Sequence, residues 1–291
     1  MTGNTTAMFK KKSRIGENIS RMRKNKIAMV GFVIFLAIAF CTLFADLIVP
    51  YHKAIDQDIV HRIQGISTQH WFGTDLYGRD MFARVVHATR NSLGLAIVAV
   101  AAGMTIGGLL GSCAGYYGGK VDAVIMRIMD TLMCIPFMLL ALAIVAALGA
   151  GLVNVLIALV VSMIPSYTRI IRSAILTVVY QDFIEAARAC GTSDTFIILK
   201  HIIPMAIGPV IVQSTMSVGT MIIWAASMSF LGMGVQPPAP EWGAMLSEGK
   251  NYMLVAPHLV VIPGLAIVLT ALSLNLMGDG LRDVLDPRLK D

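Results

Sequence analysis

Few side chains in this sequence are spaced for catalysis. The six histidines are scattered, and neither the HExxH pattern of zinc hydrolases nor the GxSxG turn of serine hydrolases occurs. AGYYGGKV resembles a phosphate-binding loop only weakly, because three residues separate Gly115 from Gly119 where that loop has four. Val121 also stands where Ser or Thr would bind magnesium. We predict no catalytic, cofactor or metal site on this chain.

The cysteines do not indicate a disulfide framework or a zinc site. Cys41, Cys113 and Cys134 lie in apolar runs and Cys190 lies in a polar segment, and no two of them form a CxxC pair. We interpret all four as small packing residues.

One charged segment stands out between two apolar runs: EAARACGTSDTFIILKHIIP at 185–204. Helix propensity predicts a first helix that ends at Gly191, a residue suited to a left-handed cap. Thr192 or Ser193 is then expected to cap a second helix that runs up to Pro204. The segment therefore reads as helix, tight turn and helix.

The first helix of this segment is amphipathic, with Glu185 and Arg188 on its exposed side. Its apolar side comprises Phe183, Ile184, Ala187 and Cys190. The segment is longer than a connection needs, and this apolar side has no obvious core to cover. A plain solvated loop is the alternative, but we favour a docking surface for a partner protein, with small residues at Ala186 and Ala187 allowing close approach.

The remainder of the sequence is strongly apolar. Of its 291 residues 56% are hydrophobic and 14% charged, and the mean hydropathy is +0.75. A helix of about 20 residues crosses a hydrocarbon core of about 30 Å. We predict an all-α membrane protein with six spans, over 27–49, 92–116, 128–149, 152–170, 206–231 and 254–277. The first run is too long for a signal peptide and has no small-residue cleavage site, so we interpret it as a retained span.

The distribution of basic residues predicts the orientation of these spans. If the N-terminus is inside, 17 of the 23 Lys and Arg residues lie on the inner side, which favours two cytoplasmic termini. The domain after residue 26 then has outer loops at 50–91 and 232–253, an inner loop at 171–205 and an inner tail at 278–291. The basic segment 1–26 is interpreted as a topology anchor near anionic lipid, and no nucleic acid is needed to explain the charge of +6.

The first outer loop ends in a turn-rich stretch. Gly73 and Gly78 are expected in turns, and Asp80 can cap an interfacial helix that leads into the second span. The polar side of that helix is predicted to comprise Arg84, His87 and Arg90 or Asn91. In the other outer loop, EWGAMLSEG at 241–249 is predicted to form a short helix that dips back towards the membrane.

The second span carries glycines at every fourth position. They are Gly103, Gly107, Gly111, Gly115 and Gly119. On a helix this spacing removes the side chains from one face, so another helix can approach closely. We favour packing within this chain over contact with a second subunit.

The predicted spans lack the ionisable groups that carry a coupling ion. No Lys or Arg lies in their centres, and Asp46 and Asp130 lie near span ends. An ion-coupled carrier would hold such groups mid-membrane. An energy source outside the bilayer is therefore favoured, although a carrier or channel that acts alone remains a distant alternative, as does an assembly scaffold without a pathway.

EAARACG followed by IIP resembles the EAA loop of ABC importer permeases. Glu185, Ala186, Ala187, Gly191 and Pro204 match that pattern, with Ile203 in place of Leu, and the histidine of KHIIP is similar to the peptide branch of the family. FGTDLYGRD, AGYYGG, SFLGMGVQPPAPEWGAML and GDGLRDVLDPRL resemble the second permease of the pair in dipeptide, oligopeptide and nickel importers. The resemblance extends to glutathione importers and covers nearly everything after residue 27.

This resemblance implies a type I ABC importer permease in a bacterial inner membrane. Its implied partners are a homologous permease in a heterodimer, two ABC ATPases that hold ATP and magnesium, and an external substrate-binding protein. The implied coupling residues are Glu185, Ala186, Ala187, Arg188, Gly191 and Pro204. The candidates for contact with the binding protein are Trp71, Asp75, Arg79, Glu241 and Trp242. Import of di- or oligopeptides is the expected function, with nickel, a metallophore or glutathione as alternatives.

Overall fold

The computed structural model describes residues 25–285 of the 291-residue chain. All but the last two positions of the predicted basic segment 1–26 lie outside the described residues, as does the end of the predicted tail 278–291. Among the described residues the secondary structure is helical, apart from one isolated bridge between Thr74 and Asp80.

The helices vary widely in length. In chain order they are α1 (Lys26–Leu43), α2 (Ala45–Ile48), α3 (His52–Ile55), α4 (Met81–Tyr117), α5 (Gly119–Met133), α6 (Phe137–Leu148), α7 (Leu152–Leu176), α8 (Asp182–Ala189), α9 (Asp194–Ile197), α10 (Ile203–Phe230), α11 (Trp242–Gly249) and α12 (His258–Leu285). Two 3₁₀ turns lie at Ile59–His61 and Lys250–Tyr252, and a π turn at Ile198–Ile202 joins α9 to α10.

The predicted all-α membrane architecture is confirmed, with five or six candidate spans. Within residues 25–285, α1, α4, α7, α12 and the continuous run Asp194–Phe230 are each long and apolar enough to cross a membrane, and the bent pair α5 and α6 makes six if it counts as one span. The structure differs from the predicted continuous span over 128–149, because α5 and α6 meet at 86°. The break precedes Pro136, which donates no backbone hydrogen bond and keeps Ile135 out of the helical conformation.

The predicted interfacial helix and the second span form one helix, α4. Its 37 residues extend roughly 55 Å at about 1.5 Å each, so it projects beyond the hydrocarbon core. The predicted cap at Asp80 is confirmed, because the Ala83 N–H donates to Asp80 Oδ1 over 2.8 Å. Gly73 and Gly78 lie in turns as predicted, both at φ +76°.

Two residues on the polar side predicted for this helix do not face water. Arg84 and His87 are buried, with exposed fractions of 1% and 2%. The outer loop folds back over this end of α4, and His87 Nε2 lies 2.8 Å from the Val49 carbonyl oxygen. Sequence periodicity could not show this, because the cover comes from residues distant in the chain.

The glycines of α4 pack against α7 within this chain. A Cβ on Gly107 would lie 2.7 Å from Tyr167 Cβ, and one on Gly111 would lie 2.5 Å from the Thr168 carbonyl oxygen. Gly103 and Gly115 meet α7 in the same way. Gly119 is the exception, because α4 ends at Tyr117 and Gly119 begins α5 at φ +51° with no described atom within 4 Å of its Cβ position.

The predicted end of the second coupling helix at Pro204 is wrong. Helical structure continues from Asp194 to Phe230 through the π turn, in which the Ile203 N–H donates to the Ile198 carbonyl five residues earlier. Proline is tolerated at the start of a helix, where its missing N–H is not needed. The wider π turn also gives room beside the Pro204 ring.

We expect Gly111→Leu to destabilise the chain, because its side chain would collide with the α7 backbone. Overpacking of this kind costs about 1–3 kcal/mol or more. Gly94→Leu is the matched control in the same helix, since no described atom lies within 4 Å of a Cβ there. Thermal unfolding in detergent measures both variants, and equal melting temperatures would contradict the close packing of α4 on α7.

Candidate functional site

The segment that resembles the EAA loop folds as a helical elbow. α8 is followed by Gly191 at φ +78°, which confirms the predicted glycine cap. The Thr192 N–H donates to the Ala187 carbonyl over 3.1 Å and closes the turn. Ser193 holds the cap position of α9 with extended backbone, although within the described residues its hydroxyl makes no capping hydrogen bond. We name residues 182–197 the elbow.

The inner side of the elbow is covered by the chain's own core, which corrects half of the expectation of a bare apolar side, since Phe183 and Cys190 are exposed. Ile184 is fully buried, and Ala187 packs partly buried beside it. Their cluster contains Tyr116, Ile171, Ile175, Val178, Val179, Ile197, Ile202, Ala206 and Val210. Ala187 therefore does not belong to an outward docking surface, and α8 is held on the bundle by hydrophobic burial.

The outer side of α8 is exposed and carries small side chains at its centre. Ala186 and Ala189 lie at its centre with Asp182 between them, and Glu185 lies along one edge; all four are exposed. Phe183, with an exposed fraction of 39%, lies on the opposite edge. Both carboxylates lie in the first turn of α8, where the helix dipole favours negative charge. A partner can approach the α8 backbone closely between an acidic and an apolar edge.

The other predicted coupling residues do not all point outward. Gly191 and Pro204 are exposed, the latter at the start of α10. The guanidinium of Arg188 lies over the ring of Tyr116, 4.8 Å from its centroid. Arg188 thus contacts the end of α4, so its charge is engaged within this chain.

A group of four ionisable residues, three of them buried, lies at the other end of the bundle. Arg79 Nε donates to Asp75 Oδ2 over 2.6 Å, and Arg79 Nη2 donates to Glu248 Oε2 over 2.7 Å. Arg84 Nη1 pairs with both carboxylates, at 3.0 Å from Glu248 Oε2. We name these four residues the outer charge cluster. It joins the loop before α4 to α4 itself and to α11.

Burial raises the pKa of the Glu248 carboxyl from about 4.5 to about 7, with Arg79 opposing the shift and Asp75 adding to it. A raised carboxyl pKa favours the protonated form in the folded state. The stability contributed by this proton is fully present below about pH 4.5 and is lost as the pH rises to about 7.

The predicted short helix at 241–249 is present as α11 and is fixed to α4. Glu241 caps it, accepting from the Ala244 N–H over 2.8 Å and from Ser92 Oγ over 3.1 Å. Trp242 Nε1 donates to the Val85 carbonyl over 3.1 Å. A Cβ on Gly243 would lie 2.3 Å from the Ala226 carbonyl oxygen, so α11 also packs tightly on α10.

Most of the candidates for contact with an external binding protein are therefore structural. Asp75, Arg79, Glu241 and Trp242 are between 1% and 3% exposed, so their side chains are enclosed by this chain. Trp71 is different, because 63% of it is exposed beside Phe82. These polar side chains are buried because ion pairing and helix capping draw them inward.

Sequence reasoning gave no role to two residues that organise these sites, Tyr116 and Glu248, and placed a third, Arg84, only on the polar side of an interfacial helix. Tyr116 lies in AGYYGG and Glu248 near the end of EWGAMLSEG. Both motifs stand out in the sequence, but neither indicates a physical role for these two residues. No spacing within one motif reveals them, because their partners lie 78 and 169 residues away or on other helices.

We expect Asp75→Asn to destabilise the outer charge cluster strongly, because it leaves two buried guanidinium groups with one carboxylate. Breaking a buried pair in this way costs about 3–5 kcal/mol. Asp46→Asn is the control, since Asp46 pairs with Arg90 over 2.7 Å in the open, where solvent screens the attraction and little stability is lost. Similar losses of thermal stability in the two variants would contradict the cluster's role.

Comparison with known proteins agrees with this geometry. Residues 89–291 match the family of binding-protein-dependent transport system inner membrane components, and residues 13–65 match the N-terminal transmembrane domain of oligopeptide transport permease C. The chain is 48% identical over 270 residues to the glutathione transport system permease protein GsiD of Escherichia coli O6:K15:H31, covering 93% of this chain and 89% of that one. It is 43% identical over 274 residues to the dipeptide transport system permease protein DppC of Alkalihalophilus pseudofirmus, covering 94% and 90%.

The fold is that of a known ABC transporter. The chain aligns with the inward-facing MetNI methionine ABC transporter with a TM-score of 0.57 and 21% identity, over 70% of this chain and 97% of that one. The architecture is thus the type I ABC importer permease fold expected from the sequence. One family model matches 70% of the length of the chain, and the fold agrees. The chain therefore belongs to the binding-protein-dependent transport system inner membrane components, which are multi-pass permeases of the bacterial inner membrane.

Proposed function

We propose that this chain is one transmembrane subunit of an ATP-driven importer that carries short peptides delivered by an external binding protein. It pairs with a homologous permease, and two ABC ATPases bind and hydrolyse ATP with magnesium. The observation that carries the proposal is the elbow: α8 is anchored from within by Ile184 and presents an exposed outer side. A rigid element of this kind can pass motion from a docked protein to the spans.

The ends of the bundle support a cytoplasmic position for the elbow. α4 and α12 both begin near α11, and Tyr116 at the far end of α4 contacts the elbow. At the far end of α12, Asp283 accepts a hydrogen bond from Asn25 Nδ2 over 3.1 Å. The elbow and both described chain ends thus lie on the side opposite the outer charge cluster, in agreement with the excess of basic residues predicted for the cytoplasmic side.

The two relatives favour one class of cargo. One is named for glutathione and the other for dipeptides. Glutathione is itself a short peptide, so both names point to molecules with a peptide backbone and charged termini. Nickel and metallophores remain the alternative cargo expected from the wider resemblance. Trp71 is retained as the proposed contact for the binding protein, because its ring is exposed on the outer loop.

We expect Glu185→Lys to weaken docking of the ATPases and to reduce uptake at least tenfold, because it reverses the charge on the acidic edge of α8. The measurement is copurification of the ATPases together with uptake into proteoliposomes that contain the full complex. Asp56→Lys makes the same charge change at an exposed position in the outer loop and is expected to behave like wild type.

The same vesicles separate the alternatives. Glutathione, dialanine and Ni²⁺ are offered in turn, with and without the binding protein, and we expect peptide uptake only when that protein and ATP are present. Trp71→Ala is expected to raise the binding-protein concentration needed for half-maximal uptake. Normal uptake by Glu185→Lys, or transport by the purified chain without any ATPase, would refute the proposal. Import of Ni²⁺ alone would refute the peptide cargo.

A further inference from the structure

We infer that Tyr116 is a positioning residue that ties the elbow to α4, so that movement of α8 reaches three helices of the bundle. The inference rests on the proposed docking of an ATPase on α8, and it assigns a role to a residue outside the EAA-like segment. The chain itself already joins the elbow to α7 on one side and to α10 on the other. Tyr116 adds the connection to α4.

Tyr116 contacts both helices of the elbow at once. Its hydroxyl donates to Asp194 Oδ1 over 2.6 Å, at the first residue of α9. Arg188, near the end of α8, stacks on the ring, and its Nε lies 3.4 Å from the same hydroxyl. One side chain therefore bridges the cation of α8 and the carboxylate of α9 across the turn at Gly191. This arrangement fixes the angle between the two helices.

The setting of Tyr116 separates this role from simple core packing. The residue is 8% exposed and its ring contributes to the cluster beneath Ile184, which the phenyl ring of a phenylalanine would do equally well. The hydroxyl is the additional group, and it is directed at a carboxylate. A hydrogen bond to a charged acceptor is stronger than one between neutral groups. The ring packs the elbow against the apolar cluster, and the hydroxyl fixes the orientation of the elbow.

The connection continues into the bundle through close contacts. One residue before Tyr116, Gly115 packs against Ile175 of α7, where a Cβ would lie 2.9 Å from Ile175 Cγ2. Arg172 of α7 makes two hydrogen bonds to Asp122 of α5, at 2.5 Å and 2.6 Å. A displacement of Tyr116 by the elbow therefore acts on α4 and α7 together and, through Asp122, on α5. Without the hydroxyl, the elbow can tilt on its apolar contacts while these helices stay in place.

The test uses Tyr116→Phe in the full complex, which keeps the ring and removes the hydroxyl. The readout is peptide imported per ATP hydrolysed in proteoliposomes, with glutathione and dialanine as the probes. We expect this ratio to fall about tenfold or more, the range that loss of one hydrogen bond to a charged group permits, while the ATPases still copurify. Tyr117→Phe is the matched control, because Tyr117 is the adjacent tyrosine and 53% of it is exposed.

A double-mutant cycle with Asp194→Ala distinguishes the hydrogen bond from two independent effects. If the contact acts as proposed, the double variant loses no more than Asp194→Ala alone. A wild-type ratio for Tyr116→Phe, or losses that multiply in the double variant, would overturn the inference and leave the proposed function standing. Loss of the ATPases from Tyr116→Phe alone would also overturn it, whereas a wild-type complex that never binds ATPases would refute the proposed function itself.

Discussion

Close packing of α4 on α7 organises the bundle from one end to the other. Gly107 and Gly111 leave room for the α7 backbone at positions where any side chain would collide with it. In a membrane the hydrophobic effect does not drive helices together, so close van der Waals packing between small residues takes its place. The two helices form a stiff pair that runs between the ends of the bundle, and each end carries a different functional element.

The two ends are fastened by different physical means. At the outer end, the outer charge cluster and the capped helix α11 hold the loop before α4 in one arrangement. Buried ion pairs contribute little net stability because desolvation offsets their attraction, but they require an exact set of partners. At the inner end, Ile184 and its apolar neighbours hold α8 by burial, and polar groups add direction. The outer end is therefore held in one arrangement of ion pairs. The inner end holds α8 by apolar contacts and leaves the outer side of α8 exposed.

Some of this structure could be predicted because it is local. The Asp80 cap, the turns at Gly73 and Gly78, and the glycine face of α4 depend on residues within one turn of each other. Prolines were less predictable: Pro136 breaks a span, whereas a π turn carries the helix past Pro204. Which outcome occurs depends on packing around the helix, and the sequence near each proline does not encode that directly.

The sequence segments that form the candidate sites could be predicted, but the directions of their side chains could not. The EAA-like segment marked the elbow, yet Ala187 faces a core supplied by α4, α7 and α10, and the exposed Arg188 stacks on Tyr116 of α4. Likewise, charged residues expected to face a binding protein are buried with partners far away in the chain, such as Arg79 with Glu248. Side-chain direction in both places is decided by tertiary contacts that periodicity does not contain.

In the proposed complex the outer side of α8 docks on an ATPase while its inner side stays on this chain. Photo-crosslinking in the assembled complex distinguishes the two sides, with a photoreactive residue placed at Ala186 in one variant and at Ile184 in another. We expect position 186 to crosslink to an ATPase subunit and position 184 to crosslink only within the permease. Crosslinking of position 186 to lipid alone, or to no other protein, would contradict it.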